Sequence, residues 1–347
     1  MKKIFTIIAL LGLSLLTNAQ RLLTEDFNYP LGQLTLTNSG AGQNVSGGAW
    51  VWYSGTVVFI PVIAGSLSYP GYVTNPSATN DNKISLAATI SSAEDAYTGF
   101  TPQPAATPIT VYASFLLNVR DTTNLTNFLT TTGTPSNGEY FAGFLPSNST
   151  SVYNSGRVYI KKGSAGNTFA LGTSPAIATT TPVFYSPVDY AVGTTHLVTL
   201  AYEMVPGANN DISKIFVDAP YSATEPVPSA VSPYTAAAAA ESIDVARFYF
   251  RQAVSTSATG SRTTPNADID AIKVSTDYAD ATLVNPLPVT LTSFKGYLID
   301  KNVQLNWTSE NEQNVRSYTI ERSTDGRNFT SINVVDAKNT AQANYIF

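Results

Sequence analysis

THLVTLAYEMVPGANNDISKIFVD, residues 195–218, decides the fold class. From Thr195 to Met204, His196, Val198, Leu200 and Tyr202 recur at every second position, and SKIFVD (213–218) alternates again after a Pro-Gly-Ala-Asn-Asn turn. Period two places successive side chains on opposite faces of an extended strand, and a Gly- and Asn-rich turn between two such runs makes a hairpin. The pattern repeats along the chain. PITVYASFLLNV (108–119) is the longest apolar strand. GEYFAGFL (138–145) and GRVYIKKG (156–163) read as a pair across a Ser/Asn-rich connection, and VARFYFRQ (245–252) and ADIDAIKV (267–274) close the region. Helical periodicity is scarce, and the helix-prone stretch Ala236–Glu241 is short. Roughly a dozen strands without helical spacers predict an all-β protein, with two antiparallel sheets packed face to face as a jelly-roll sandwich.

The ends of the chain read differently. Lys2 and Lys3 precede an apolar run from Ile4 to Leu16, followed by Thr17-Asn18-Ala19-Gln20. This is the layout of a secretory signal peptide, residues 1–19, cut after Ala19. The run is shorter than the roughly 20 residues that cross a bilayer, so no membrane insertion is expected. Residues 20–281 form the sandwich, and TLVNPLP (282–288) is a short linker stiffened by two prolines. Beyond it VTLTSFKG, NVQLNWTS, RSYTIERS and NFTSINVV are four more alternating strands, with Asp325-Gly326 a hairpin signal between the last two. Residues 289–347 are fewer than the roughly 100 of a seven-strand immunoglobulin-like sandwich, so this second domain reads as incomplete.

Composition narrows the function. Charged residues make up 12% of 347, about half the share usual in globular chains, and the net charge is −5. No basic run suits nucleic acid or an anionic membrane. With one His and no Cys, the chain builds neither a disulfide framework nor a His-rich or thiolate metal centre.

The series EDFNYPLGQL, WVWYSG, GSLSYPGY, EDAYTGF, VYASFLLNV, GEYFAGF, GRVYIKKG and DIDAIKVSTDYADA resembles the laminin-G/concanavalin-A-like domain of secreted multidomain proteins from Bacteroidetes. PVTLTSFKG with VQLNWTSENEQNVRSYTIERSTDGRNFTSI resembles the fibronectin-type-III-like segment that often follows it. In that family a sorting domain for type IX secretion usually comes last; none is read in these residues, so a fragment, a shortened gene product or an exported protein without that domain is expected. The resemblance implies an exported protein, extracellular or at the cell surface, or periplasmic if the sorting signal is truly absent. It also implies an adhesive or glycan-binding role, with polysaccharide or extracellular glycan as partner.

Several residues are candidates for chemistry. On a regular strand Asp268 and Asp270 share a face that Ile272 and Val274 continue, an acidic stripe where the strand enters its sheet. First and last strands of jelly rolls are often neighbours, so Glu25 and Asp26 would join them to hold a structural Ca²⁺, which takes six to eight oxygens. The alternative is that these carboxylates accept backbone N–H groups or face water. Glu94 and Asp95 are adjacent and therefore point to opposite faces, which suits a structural role at a strand start. Trp50 and Trp52 alternate and could form a sugar-stacking platform, or could be core. Tyr69 and Tyr72, around Pro70-Gly71, are turn residues and further ligand-binding candidates. Trp307 reads as a buried core residue.

Catalysis is disfavoured. No Glu-x-Asp-x-x-Glu run or G-x-S-x-G elbow occurs, Glu139 has no acidic neighbour on its strand, and His196 reads as a hydrogen-bonded sandwich residue. The expected function is a non-catalytic module that binds glycan or adheres, with the second domain as spacer. A polysaccharide hydrolase or lyase on the same fold, and a purely structural part of a larger adhesin, are the alternatives.

Overall fold

The computed structural model describes residues 20–37, 49–54, 58–72, 82–87, 94–129, 137–148, 155–175, 183–233, 241–257, 260–282, 290–300, 302–310, 317–338, 340 and 342–347. The expected signal peptide, most of the expected linker and nearly all of the helix-prone stretch at Ala236 lie outside them. The described chain divides into two compact units that part after Leu283.

In the first unit the strands are β1 (Arg21–Glu25), β2 (Gly32–Gln33), β3 (Trp50–Ser54), β4 (Pro61–Ala64), β5 (Asn82–Leu86) and β6 (Asp95–Pro104). Then follow β7 (Ile109–Asp121), β8 (Glu139–Leu145), β9 (Arg157–Lys162), β10 (Thr168–Ser174), β11 (Phe184–Tyr185) and β12 (Tyr190–Ala191). The set ends with β13 (Thr195–Met204), β14 (Ile212–Val217), β15 (Ala230–Pro233), β16 (Asp244–Arg251), β17 (Val254–Ser257), β18 (Gly260–Thr263) and β19 (Asn266–Ser275). The short helices are α1 (Leu34–Thr37) and α2 (Tyr278–Thr282).

Two antiparallel sheets carry the unit. The first has the order β15-β14-β13-β7-β19-β5-β4-β2, with β1 also on β19; the second runs β11-β10-β9-β8-β16-β6-β3, with β12 on β10. Their inner faces supply one apolar core, as the alternation in residues 195–218 requires. Phe115 of β7 sits in it, with ring centroids of Phe250, Phe248 and Phe141 at 5.7, 5.9 and 6.3 Å. The fold is the expected all-β jelly-roll sandwich, with its first and last long strands paired from Arg21↔Ser275 to Glu25↔Ile272.

Strand β19 departs from strict alternation. Its register against β7 shifts between Asp270 and Lys273, and Ala271 adopts φ 56°. This is a bulge, and one extra residue reverses the facing of everything after it. Ala267 and Ile269 point into the core before it, and Ile272 and Val274 after it. Asp268 and Asp270 are therefore on the opposite face from Ile272 and Val274, which corrects the single stripe expected from the sequence.

Part of the outer face of the first sheet is covered. Tyr278 of α2 packs on Phe216 and Tyr112 at 5.1 and 5.7 Å, and Arg21 fixes α2 through two bonds of 2.7 Å to Asp280. Beside it, the segment from Gly65 to Tyr72 lies over Leu116, Leu197 and Ala271. Its turn forms because Pro70 presets its own φ and Gly71 accepts φ 77°, letting Tyr72 N–H donate to Tyr69 O at 3.0 Å.

The second unit has β20 (Thr290–Ile299), β21 (Asn302–Glu310) and β24 (Gln342–Ile346) in one sheet, and β22 (Ser317–Arg322) with β23 (Thr330–Asp336) in another. Trp307 is buried and stacks on Tyr345 at 4.9 Å and 7°. Asp325 accepts N–H groups of Arg327 and Asn328, both at 2.8 Å, and Gly326 takes φ 71°, closing the β22–β23 hairpin.

Candidate functional site

Most of the carboxylates singled out in the sequence have structural partners. Glu25 is buried; its Oε2 accepts from the Tyr29 hydroxyl (2.5 Å) and the Trp50 indole (2.8 Å), and its Oε1 from Phe27 N–H (2.7 Å). Burial, opposed by these bonds and aided by the like charge of Asp26, pushes its pKa up to about 7. Asp26 is buried next to it in the chain. Asp268 is ion-paired with Lys83 and Arg120. Asp270 accepts from Ser66 Oγ (2.6 Å), Leu67 N–H (2.8 Å) and Ala271 N–H (2.7 Å), which ties the covering segment to the bulge. Among the described residues no group of three or more His, Asp or Glu side chains is placed to hold a metal ion. Glu25, Asp268 and Asp270 each have protein partners instead, and the bulge sets Asp268 and Asp270 on the face opposite Ile272 and Val274.

The aromatic platform also changes. Trp50 is core, 2% exposed, between Phe27 and Phe250 at 5.9 and 6.0 Å, while Trp52 on the edge strand is 49% exposed. Tyr72 is buried, its hydroxyl donating to Ala271 O at 2.9 Å and lying 2.7 Å from Ser114 Oγ. Tyr69 is partly buried against the same cluster. Trp50 and Tyr72 cannot face a ligand; Trp52 and Tyr69 keep partial exposure. His196 lies between Asp218 Oδ2 (2.7 Å) and Ala191 O (3.2 Å) in the first sheet, while Glu139 belongs to the second. Glu94 accepts from Thr35 Oγ1 and Ile60 N–H, and Asp95 from Gln252 N–H.

The outer face of the second sheet carries side chains that are not those of a core. On β16, Phe248 and Phe250 point inward, so Arg247, Tyr249 and Arg251 point out; on β9, Val158 and Ile160 point inward, so Arg157, Tyr159 and Lys161 point out. The register aligns them. Tyr249 is opposite Gly143 and Tyr97, Arg251 opposite Asp95, and Arg157 opposite Gly143, while Tyr159 pairs with Tyr140 and Gly172.

Glycine makes this layer possible. A Cβ on Gly143 would stand 2.6 Å from Gly156 O and 2.9 Å from the Tyr249 ring and hydroxyl, and one on Gly172 would meet the Tyr185 ring at 2.8 Å. The two glycines let tyrosine rings lie close over the sheet.

Cations and rings interleave across it. The guanidinium carbons of Arg157 and Arg251 lie 4.6 and 4.3 Å from the Tyr140 ring centroid, Arg247 lies 4.7 Å from Tyr97, and Lys161 Nζ lies 4.0 Å from Tyr185. Arg251 pairs with Glu139 Oε1 at 2.7 Å and with Asp95 Oδ2 at 3.8 Å. Arg157 and Tyr249 form a closed floor, whereas Arg251, Tyr140, Arg247 and Tyr97 retain part of their exposure. Burial raises the Tyr249 and Tyr159 phenols above their ordinary range, so both stay neutral near pH 7.

The signal for this face was present in the sequence. Arg157-Val-Tyr159-Ile-Lys161 and Arg247-Phe-Tyr249-Phe-Arg251 carry the same pattern, Arg-x-Tyr-x-cation, on the phase opposite the apolar residues.

The sequence matches no known family profile and no curated protein. Among solved structures the chain is similar to an endo-1,3-beta-glucanase from Streptomyces sioyaensis, at 13% identity and TM-score 0.36 over 75% of this chain and 96% of that one. It is similar to an alginate lyase at 12% and 0.35, over 73% and 96%. A third is domain 4 of a GH43 extracellular arabinanase from Geobacillus stearothermophilus, in complex with arabinotriose, at 11% and 0.33 over 75% and 94%. Likenesses at this level carry nothing further to this chain, whose architecture stands on its own two sheets.

Proposed function

We propose that the protein is an exported, non-catalytic glycan-binding module, and that it takes a saccharide chain across the outer face of its second sheet. The observation that carries this reading is the partly exposed layer of Tyr97, Tyr140, Arg247 and Arg251, held over a buried floor of Arg157, Tyr159 and Tyr249. Aromatic faces stack on the C–H faces of sugars, while guanidinium and phenol groups hydrogen-bond the oxygens. The non-catalytic part of the reading is supported by the carboxylates of the face. Glu139 and Asp95 share the Arg251 guanidinium, and Asp95 also accepts Gln252 N–H at 3.0 Å, so neither is poised as a free acid or base. In this reading the fibronectin-like second unit is a spacer, and the segment up to Ala19 directs export to the cell surface or beyond.

Affinity electrophoresis of the full chain in gels containing acidic and neutral polysaccharides tests the proposal. Retardation without release of oligosaccharides supports it. Release of reducing ends or unsaturated products would replace it with the hydrolase or lyase reading. No retardation in any gel would favour the purely structural one.

A further inference from the structure

We infer that the glycan is acidic, and that one of its carboxylates is received where Arg157, Arg251 and the Tyr249 hydroxyl converge beside Tyr140. This rests on the glycan-binding reading and narrows it to a substrate class, polymers bearing uronate groups. The first ground is a hydroxyl that lacks its bond. Tyr249 is fully buried, and among the described residues its hydroxyl has no hydrogen-bond partner. Buried hydroxyls in folded proteins are paired as a rule, and an unpaired donor aimed into a cationic cluster is suited to an oxyanion. The clearance at Gly143 fixes where it points, over β8 and between the strands that carry the two arginines.

The second ground is like charge brought together. Two guanidinium groups stand within 5 Å of one ring centroid in a chain of net charge −5. The planar fork of arginine matches a carboxylate in a way a neutral sugar hydroxyl cannot exploit. Around this point Arg157, Lys161, Arg247 and Arg251 outnumber Glu139 and Asp95. The cations are spread over β9 and β16, on either side of β8, which suits a polymer with repeated charges better than a single small anion. A ligand carboxylate would approach from the partly exposed Arg251 side, with Arg157 and Tyr249 as the back wall.

Titration calorimetry of the full chain with polygalacturonate and alginate, against neutral laminarin and arabinan and a sulfated galactan, tests this. Binding of the uronate polymers alone, weakening at high salt and weakened about tenfold in Tyr249→Phe, is the expected result. The Tyr249→Phe protein should melt no lower than the wild type, since it loses only an unpaired hydroxyl, so a loss of binding could not be assigned to misfolding. Arg157→Lys, which keeps the charge and removes the fork, should weaken uronate binding as well. Equal binding of neutral polymers with a silent Tyr249→Phe would overturn the inference and leave glycan binding intact. Equal binding of the sulfated polymer would overturn the carboxylate assignment. No binding to any polymer would remove both readings.

Discussion

The indole nitrogen of Trp50 donates to Oε2 of Glu25 across 2.8 Å inside the sandwich, so a tryptophan of the edge strand β3 and the last residue of β1 satisfy each other where no water reaches. Removing the donor leaves a buried carboxyl oxygen short of a bond. Trp50→Phe is expected to destabilise the first unit by about 2–4 kcal/mol, whereas Trp52→Ala should stay within about 0.5 kcal/mol. Thermal melts of the two variants check this, and the reverse order would restore Trp50 as a surface residue.

Stability should pass through a minimum near neutral pH. Burial raises Glu25 from its ordinary value of 4.5, and Asp270 from 3.8, both to about 7. The folded chain therefore holds protons that the unfolded chain has released, and this stability is complete below the ordinary values and lost as pH rises through about 7. For each acid the change is on the order of 3–4 kcal/mol. Lys273, lowered from 10.5 to about 7 by burial and then by Arg21, acts in the other direction: its contribution is present above 10.5 and lost as pH falls towards 7. Melting temperatures across this range should show the dip, and Asp270→Asn should flatten its acid side.

Calcium and chelator should leave the melting temperature of the first unit unchanged, because Glu25, Asp268 and Asp270 are engaged with protein donors. A rise of several degrees on adding calcium would show that the acids can leave those partners for the ion.

Gly143→Ala should cost about 1–3 kcal/mol, since the new methyl would meet Gly156 O at 2.6 Å and Tyr249 at 2.9 Å. It should also disturb the proposed glycan binding more than Gly99→Ala, where the nearest atom is 3.9 Å away.

The sheets were legible from alternation alone, because each strand buries one face against a single core. His196, Val198, Leu200 and Tyr202 announced β13 without help from any neighbour. Alternation fails where a residue is inserted. At Ala271 the bulge reverses the facing of β19, and nothing in ADIDAIKV distinguishes it from a regular strand. Edge position was the second obstacle: Trp50 and Trp52 share a phase, but only the first lies over the core. The tyrosine and arginine face is hidden for a different reason. VARFYFRQ and GRVYIKKG announce what they bury, while Arg157, Tyr159, Tyr249 and Arg251 form the other phase, and only the register brings the two strands together around β8.

The antiparallel pairing of β1 with β19 brings both ends of the sandwich to one corner, where Thr276 N–H donates to Gln20 O at 3.1 Å. A pull on those ends would load the hydrogen-bonded pairs singly, from Arg21↔Ser275 inward, like a zipper and not like a sheared joint. Arg21, gripping Asp280, is the catch at the top of that zipper. Pulled by those ends, the first unit would yield by shedding its first strand while β7, β13 and β16 keep the rest of the sandwich folded.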